Sequence, residues 1–103
     1  MAQYIIMYLR GDRQPTPESG QAGKEAWGKW VKSLGTAAVN PGTPMMHSMI
    51  VSPDGVIEAG NRGSTGFTIV EALDMDAAIE MAKGCPYLEM GDLEVAQLMQ
   101  MPG

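Results

Sequence analysis

Gly66-Phe67-Thr68-Ile69-Val70-Glu71-Ala72 runs without a break into Leu73-Asp74-Met75-Asp76-Ala77-Ala78-Ile79-Glu80-Met81-Ala82-Lys83-Gly84-Cys85-Pro86. The first half predicts a strand, because Phe67 to Val70 is apolar or β-branched throughout and so suits burial on both faces. The second half predicts a short helix. Asp74 stands at the N-cap, where a side-chain oxygen satisfies a free N–H of the first turn. Asp76 adds negative charge at the positive end of the helix dipole. Ala78, Ile79 and Ala82 share one face at helical spacing. Gly84 suits a left-handed C-terminal position, and Pro86 stops any continuation.

Working outward, Gln3 to Leu9 predicts a first strand, with Tyr4, Ile6 and Tyr8 on one face and Ile5, Met7 and Leu9 on the other. Both faces are apolar, as in a central strand with a layer on each side. Gly11 to Pro17 is a polar loop, and Thr16-Pro17-Glu18 reads as N-cap, N1 proline and first-turn acid. The helix that follows carries Trp27, Trp30, Val31 and Leu34 as an apolar stripe and stops at Gly35. Gly20, Gly23 and Gly28 weaken its early turns, so it is expected to fray or start late. Thr36 to Val39 predicts a short strand, Asn40 to Pro44 a rigid loop whose prolines forbid ladder bonds, and Met45 to Ser52 a strand with His47 in its middle. A turn at Ser52-Pro53-Asp54-Gly55 returns the chain through Val56 to Ala59 as a hairpin. Gly60 to Thr65 reads as a mobile glycine-rich loop, Tyr87 to Asp92 as a connection, and Leu93 to Met101 as the last strand.

The order β-α-β-(β)-β-α-β, in one domain spanning residues 1–103, predicts an α+β fold: a ferredoxin-like (β-α-β-β-α-β) protomer with an extra hairpin and both helices on one sheet face. Apolar residues on the other face require a cover. Two such sheets packed face to face in a homodimer, a dimeric α/β barrel, would supply it.

Composition narrows the function. A net charge of −5, with seven scattered Lys and Arg, argues against nucleic-acid binding, which basic contacts to phosphate dominate. No apolar run reaches the roughly 20 residues of a membrane span. The opening residues do not read as a signal peptide, and one cysteine allows no internal disulfide, so a cytoplasmic protein is expected. Cys85 reads as a buried structural thiol rather than a reactive one. The ten methionines read as adaptable core filler or, more sharply, as a soft apolar pocket. One His, one Cys and dispersed acids offer no ligand cluster, so no metal is expected, and no phosphate loop or other cofactor motif is present.

Candidate site residues follow from side-chain chemistry. His47, the only histidine, can act as acid or base, and Glu58 is the carboxylate that the hairpin returns beside it. The competing reading is a histidine hydrogen-bonded at a sheet face or subunit interface. Arg10, beside Gly11 and Asp12, could clamp a ligand carboxylate or form a rim salt bridge. Arg62 could close over a ligand or remain solvated. Tyr4 and Tyr8 could line a barrel pocket or fill a dimer core. Glu71 could bond backbone donors or a partner chain. Tyr8, Arg10, Asp12 and Arg62 are therefore the candidate ligand-binding residues, and His47 and Glu58 the candidate catalytic pair.

The stretch from Gly66 to Ala72, then Asp74, Ala78, Ala82-Lys83-Gly84-Cys85-Pro86, Gly91 and Glu94-Val95, resembles the YCII-related (DGPF-domain) family. The shared rhythm is a glycine-aromatic strand ending in Glu-Ala, a short helix with a Cys-Pro stop, a glycine turn and an acidic-Val strand. The resemblance covers most of the chain. It implies a ferredoxin-like protomer in a dimeric α/β barrel. For a few members it implies enzymes acting on small aromatic compounds, including dehydrochlorinase-type chemistry with a His-Asp pair. The matching region here, Asp12 to Leu34, has no histidine, and Asn61-Arg62-Gly63-Ser64 stands where the DGPF tetrapeptide would be. Three functions remain open: a homodimer binding a small aromatic or carboxylate-bearing molecule, an enzyme using His47, and an accessory interaction protein with a filled barrel.

Overall fold

The computed structural model describes residues 1–9, 17–59 and 64–99, with side chains given outside 17–23. In chain order the elements are β1 (Ala2–Leu9), α1 (Pro17–Leu34), a 3-10 turn (Gly35–Ala37), β2 (Ala38–Pro44), β3 (Met49–Ser52), β4 (Gly55–Glu58), β5 (Ser64–Ala72), α2 (Met75–Lys83), a second 3-10 turn (Pro86–Glu89) and β6 (Leu93–Gln97). Four strands form one sheet in the order β2-β5-β1-β6, with every neighbour antiparallel. Among the described residues, strands β3 and β4 pair only with each other. This is the expected α+β, ferredoxin-like arrangement with an extra hairpin. No described helix is long and apolar enough to cross a membrane.

Strand alternation builds the core. Tyr4, Ile6 and Tyr8 of β1 and Thr68, Val70 and Ala72 of β5 point to one face and are buried. The apolar members pack with Trp30 of α1, Ala78 and Ala82 of α2, and Cys85 and Tyr87 beyond it. Full burial of a side chain such as Ile6 or Val70 contributes about 1.5–3 kcal/mol. The opposite face carries Ile5 paired with Ile69 and Met7 paired with Phe67, all half-buried. In a single chain, then, the expected burial on both faces is complete only on the helix side.

Helix α2 forms as its caps predict. The Asp74 carboxylate accepts from the Ala77 amide at 2.9 Å, and Asp76 lies in the first turn. Ala78 and Ala82 are buried, but Ile79 is 36% exposed and does not join their face in the core. Gly84 is not left-handed; its φ is −86°. Space there is tight rather than the backbone unusual. A Cβ would lie 3.1 Å from Cδ1 of Trp30, whose indole N–H donates to the Met81 carbonyl at 2.9 Å. The stripe residue Trp30 thus satisfies a carbonyl in the last turn of the other helix.

Other expectations need correction. Helix α1 starts at Pro17 despite its glycines. Gly35, at φ 57°, turns the chain into a 3-10 segment, so β2 begins at Ala38 and runs through the supposed rigid loop to Pro44. An edge strand tolerates prolines because one side of its ladder is unused. The register slips twice along β2, and the Asn40 side chain accepts from the Gly42 amide at 3.0 Å in place of ladder bonding. The third strand begins at Met49, which leaves His47 outside it. Ser64 and Thr65 belong to β5, the connection after Pro86 is a 3-10 turn, and β6 ends at Gln97. The rest of the glycine-rich loop, 60–63, the Thr16 cap and the chain end from 100 lie outside the described residues.

Asp74→Ala should cost about 1 kcal/mol through loss of the cap, and Asp74→Asn only a few tenths. Urea unfolding of the two variants measures the difference.

Candidate functional site

The pairing of β1 with β5 breaks register at one end. Tyr8 faces Gly66, but Leu9 faces Ser64, so Thr65 is an extra residue in a β-bulge. Bulges re-aim side chains. Here the Thr65 hydroxyl reaches Tyr87 Oη at 3.0 Å and the Tyr8 carbonyl at 3.3 Å. Tyr87 Oη donates to the Leu9 carbonyl at 2.7 Å. One phenol thereby ties the 3-10 turn after α2 to the last residue of β1.

Aromatic rings gather over this bulge. Tyr8 and Tyr87 stack with centroids 5.0 Å apart and planes 21° apart. Trp27 meets Tyr8 edge-on at 5.4 Å and 89°, and Trp30 backs Trp27 at 5.4 Å. Two glycines give the rings room. A Cβ at Gly66 would lie 2.9 Å from both Tyr8 Cδ2 and the Thr43 carbonyl oxygen. A Cβ at Gly42, whose φ is 156°, would lie 2.9 Å from Trp27 Cζ2. The result is a cavity of about 440 Å³ between sheet and α1, walled by Tyr8, Trp27 and Tyr87, with Thr43, Pro44 and Met90 at its sides.

The polar atoms around this cavity are engaged with one another. Tyr8 Oη hydrogen-bonds Thr68 Oγ1, and Thr68 donates onward to the Pro41 carbonyl at 3.2 Å. Burial pushes the Tyr8 phenol well above its ordinary pKa, against a smaller opposing pull from the Thr68 hydrogen bond. Tyr8 is therefore a neutral wall of the site rather than a proton acceptor. Cys85 is buried nearby, and burial pushes its thiol up to about 11, in keeping with a structural thiol. Such a cavity can hold a flat apolar group against ring faces, and its described walls present no charged side chain.

Of the expected site residues, the structure places Tyr8 in this cavity. It points to the helix-covered face, as does Tyr4, so neither lines a space between two sheets. Arg10, Asp12 and Arg62 lie outside the described residues. His47 precedes β3, and its Nε2 is 3.6 Å from Glu58 Oε1. The hairpin brings this pair together as read from the turn, with side chains 68% and 72% exposed. The pair does not line the aromatic cavity. Sequence reading missed Tyr87, which it left in a connection. The available signal was an aromatic residue directly after the Cys85-Pro86 stop, where the chain must return across the core. Thr65 gave no signal, because a bulge is a property of pairing.

No family model and no curated protein sequence matches the chain. Among solved structures, the fold is similar to that of 5-chloro-2-hydroxyhydroquinone dehydrochlorinase (TftG) from Burkholderia phenoliruptrix AC1100, in complex with 2,5-dihydroxybenzoquinone. The TM-score is 0.51 at 18% sequence identity, over 96% of this chain and 95% of that one. That likeness shows the fold.

Gly66→Ala should destabilise by about 1–3 kcal/mol, since a backbone oxygen cannot move aside as a side chain can; urea unfolding checks it. Stability should also fall in alkali. Cys85 and Tyr8 have folded pKa values raised above their ordinary values, so each contributes stability that is full below its unfolded pKa and is lost as pH rises through the folded one. The window opens near 9.0 for Cys85 and 10.0 for Tyr8. Unfolding at about pH 8 and about pH 10.5 should show the loss, and Cys85→Ala should reduce it.

Proposed function

We propose that the chain is a YCII-related protein that pairs with a second copy through its open sheet face, forming an α/β barrel, and binds a small flat organic molecule between Tyr8, Trp27 and Tyr87. The observation that carries the binding role is the aromatic cavity of about 440 Å³. It falls within the roughly 300–1,000 Å³ of small-molecule sites and has their apolar lining. Each ring face offered to a bound ring adds about 0.5–1.5 kcal/mol beyond burial. Ile5, Met7, Phe67 and Ile69 on the half-buried face support the pairing, since a second sheet would complete their burial. Arg10 and Arg62 are the cations we assign to a carboxylate on the ligand, and Asp12 is assigned to the same candidate site.

The second reading is an enzyme of the same fold, with His47 as acid or base and Glu58 orienting it. The 3.6 Å approach of the two side chains supports it.

Titration with 2,5-dihydroxybenzoquinone, followed by tryptophan fluorescence, tests the binding role. The expected result is saturable quenching that weakens at least tenfold in Trp27→Ala and is unchanged in His47→Gln. Equal binding by Trp27→Ala would remove the pocket from the function. Light scattering should give twice the 11.0 kDa of the chain.

A further inference from the structure

The described methionines divide between partly buried and exposed positions. Met7, Met75, Met81 and Met90 are partly buried, as core filler should be. Met45, Met46 and Met49 are 37%, 93% and 45% exposed, and they flank the only histidine within the run Met45-Met46-His47-Ser48-Met49. The His47 ring is turned onto one of them: Nε2 lies 3.2 Å from Met49 Sδ. A thioether has no proton to give, so this contact sets two lone-pair donors side by side, joined by the imidazole proton.

We propose that this segment binds a soft monovalent metal ion, Cu(I) or its analogue Ag(I), through His47 Nε2 and Met49 Sδ, with the sulfur of Met45 or Met46 completing the site. The choice of ion follows from the donors. Thioethers select soft ions, whereas carboxylates suit hard ones. No three His, Cys, Asp or Glu residues converge among the described residues, so zinc or a harder ion has no ligand set there. A count confined to those residue types led to the expectation of no metal; the thioether sulfurs change it.

The geometry is close to that of a site. With metal–nitrogen and metal–sulfur bonds of about 2.0 and 2.3 Å, an ion touching donors 3.2 Å apart subtends roughly 95°. A three- or four-coordinate ion accepts that angle. On binding, the proton on Nε2 moves to Nδ1 and the ion takes its place, so the neutral imidazole is kept. Glu58 Oε1, 3.6 Å from the same nitrogen, is beyond hydrogen-bond distance, and its hard carboxylate is left out of the donor set.

The test uses the whole chain with silver nitrate in chloride-free buffer, observing methionine methyl and histidine ring resonances. One equivalent should shift His47, Met49 and one of Met45 and Met46 together. Met1 and Met99, 85% and 81% exposed, are internal controls and should stay in place. Met49→Leu and His47→Gln should each weaken binding at least tenfold, and Glu58→Gln less than about twofold. Cu(I) competition against bicinchoninate should reproduce that order. These exposed positions can be substituted with the core resonances unchanged, which the same spectra verify. Equal shifts at Met1 and Met99, undiminished binding by Met49→Leu, or zinc binding that needs Glu58 would each overturn the site. The exposed hairpin would then be better explained as a surface for protein contact.

Discussion

The antiparallel pairing of β1 with β5 is the constraint on which everything else in this chain depends. Side chains alternate along a strand, so a slip of one residue would exchange the two faces of the sheet. The observed register, with Tyr4 opposite Val70 and Ile6 opposite Thr68, turns four large or branched side chains toward the helices at once. It leaves Ile5 with Ile69 and Met7 with Phe67 on the other side. Helices α1 and α2 then have one surface to cover, and Trp30 joins them by bonding the Met81 carbonyl over Gly84. Glycine at 84 leaves the indole room beside that contact.

The same pairing makes the cavity where it fails. At Thr65 the ladder gains a residue, the strand bends, and a hydroxyl that would have faced along the sheet meets Tyr87 instead. Tyr87 then carries the Leu9 carbonyl, which lets a 3-10 turn stand at the sheet end with its ring against Tyr8. Gly66 and Gly42 admit the neighbouring rings at distances that a Cβ would forbid.

Much of this was legible in the sequence because it rests on periodicity and capping. The strand from Gly66 to Ala72, the Asp74 cap and the Trp27/Trp30 stripe are local signals, and each names its own face. What was not legible depends on partners distant in the chain. Gly84 reads as a left-handed cap until Trp30 is placed above it. The prolines of β2 read as a loop until the strand is known to be an edge. Tyr8 was singled out, but its side of the sheet could not be assigned until both helices were seen to pack against that face. Tyr87 and Thr65 acquire their roles only from contacts across 78 and 22 residues of chain.

The two functional readings rest on physically separate parts of the molecule. The aromatic cavity offers ring faces, and burial raises the pKa of its Tyr8 phenol, which disfavours the phenolate. His47 and Glu58, the candidate acid–base pair, stand exposed at the hairpin. A two-stranded hairpin is marginal on its own in water, and this one carries Val51, Val56 and Ile57 in the open. At its base the Ala59 amide bonds the Ser48 carbonyl across the hairpin, and the Met45 amide bonds the Thr65 carbonyl of the main sheet. The Thr65 carbonyl that receives Met45 belongs to the same bulge that shapes the cavity. The root of the hairpin and the bulge beside the cavity are therefore joined by one backbone hydrogen bond.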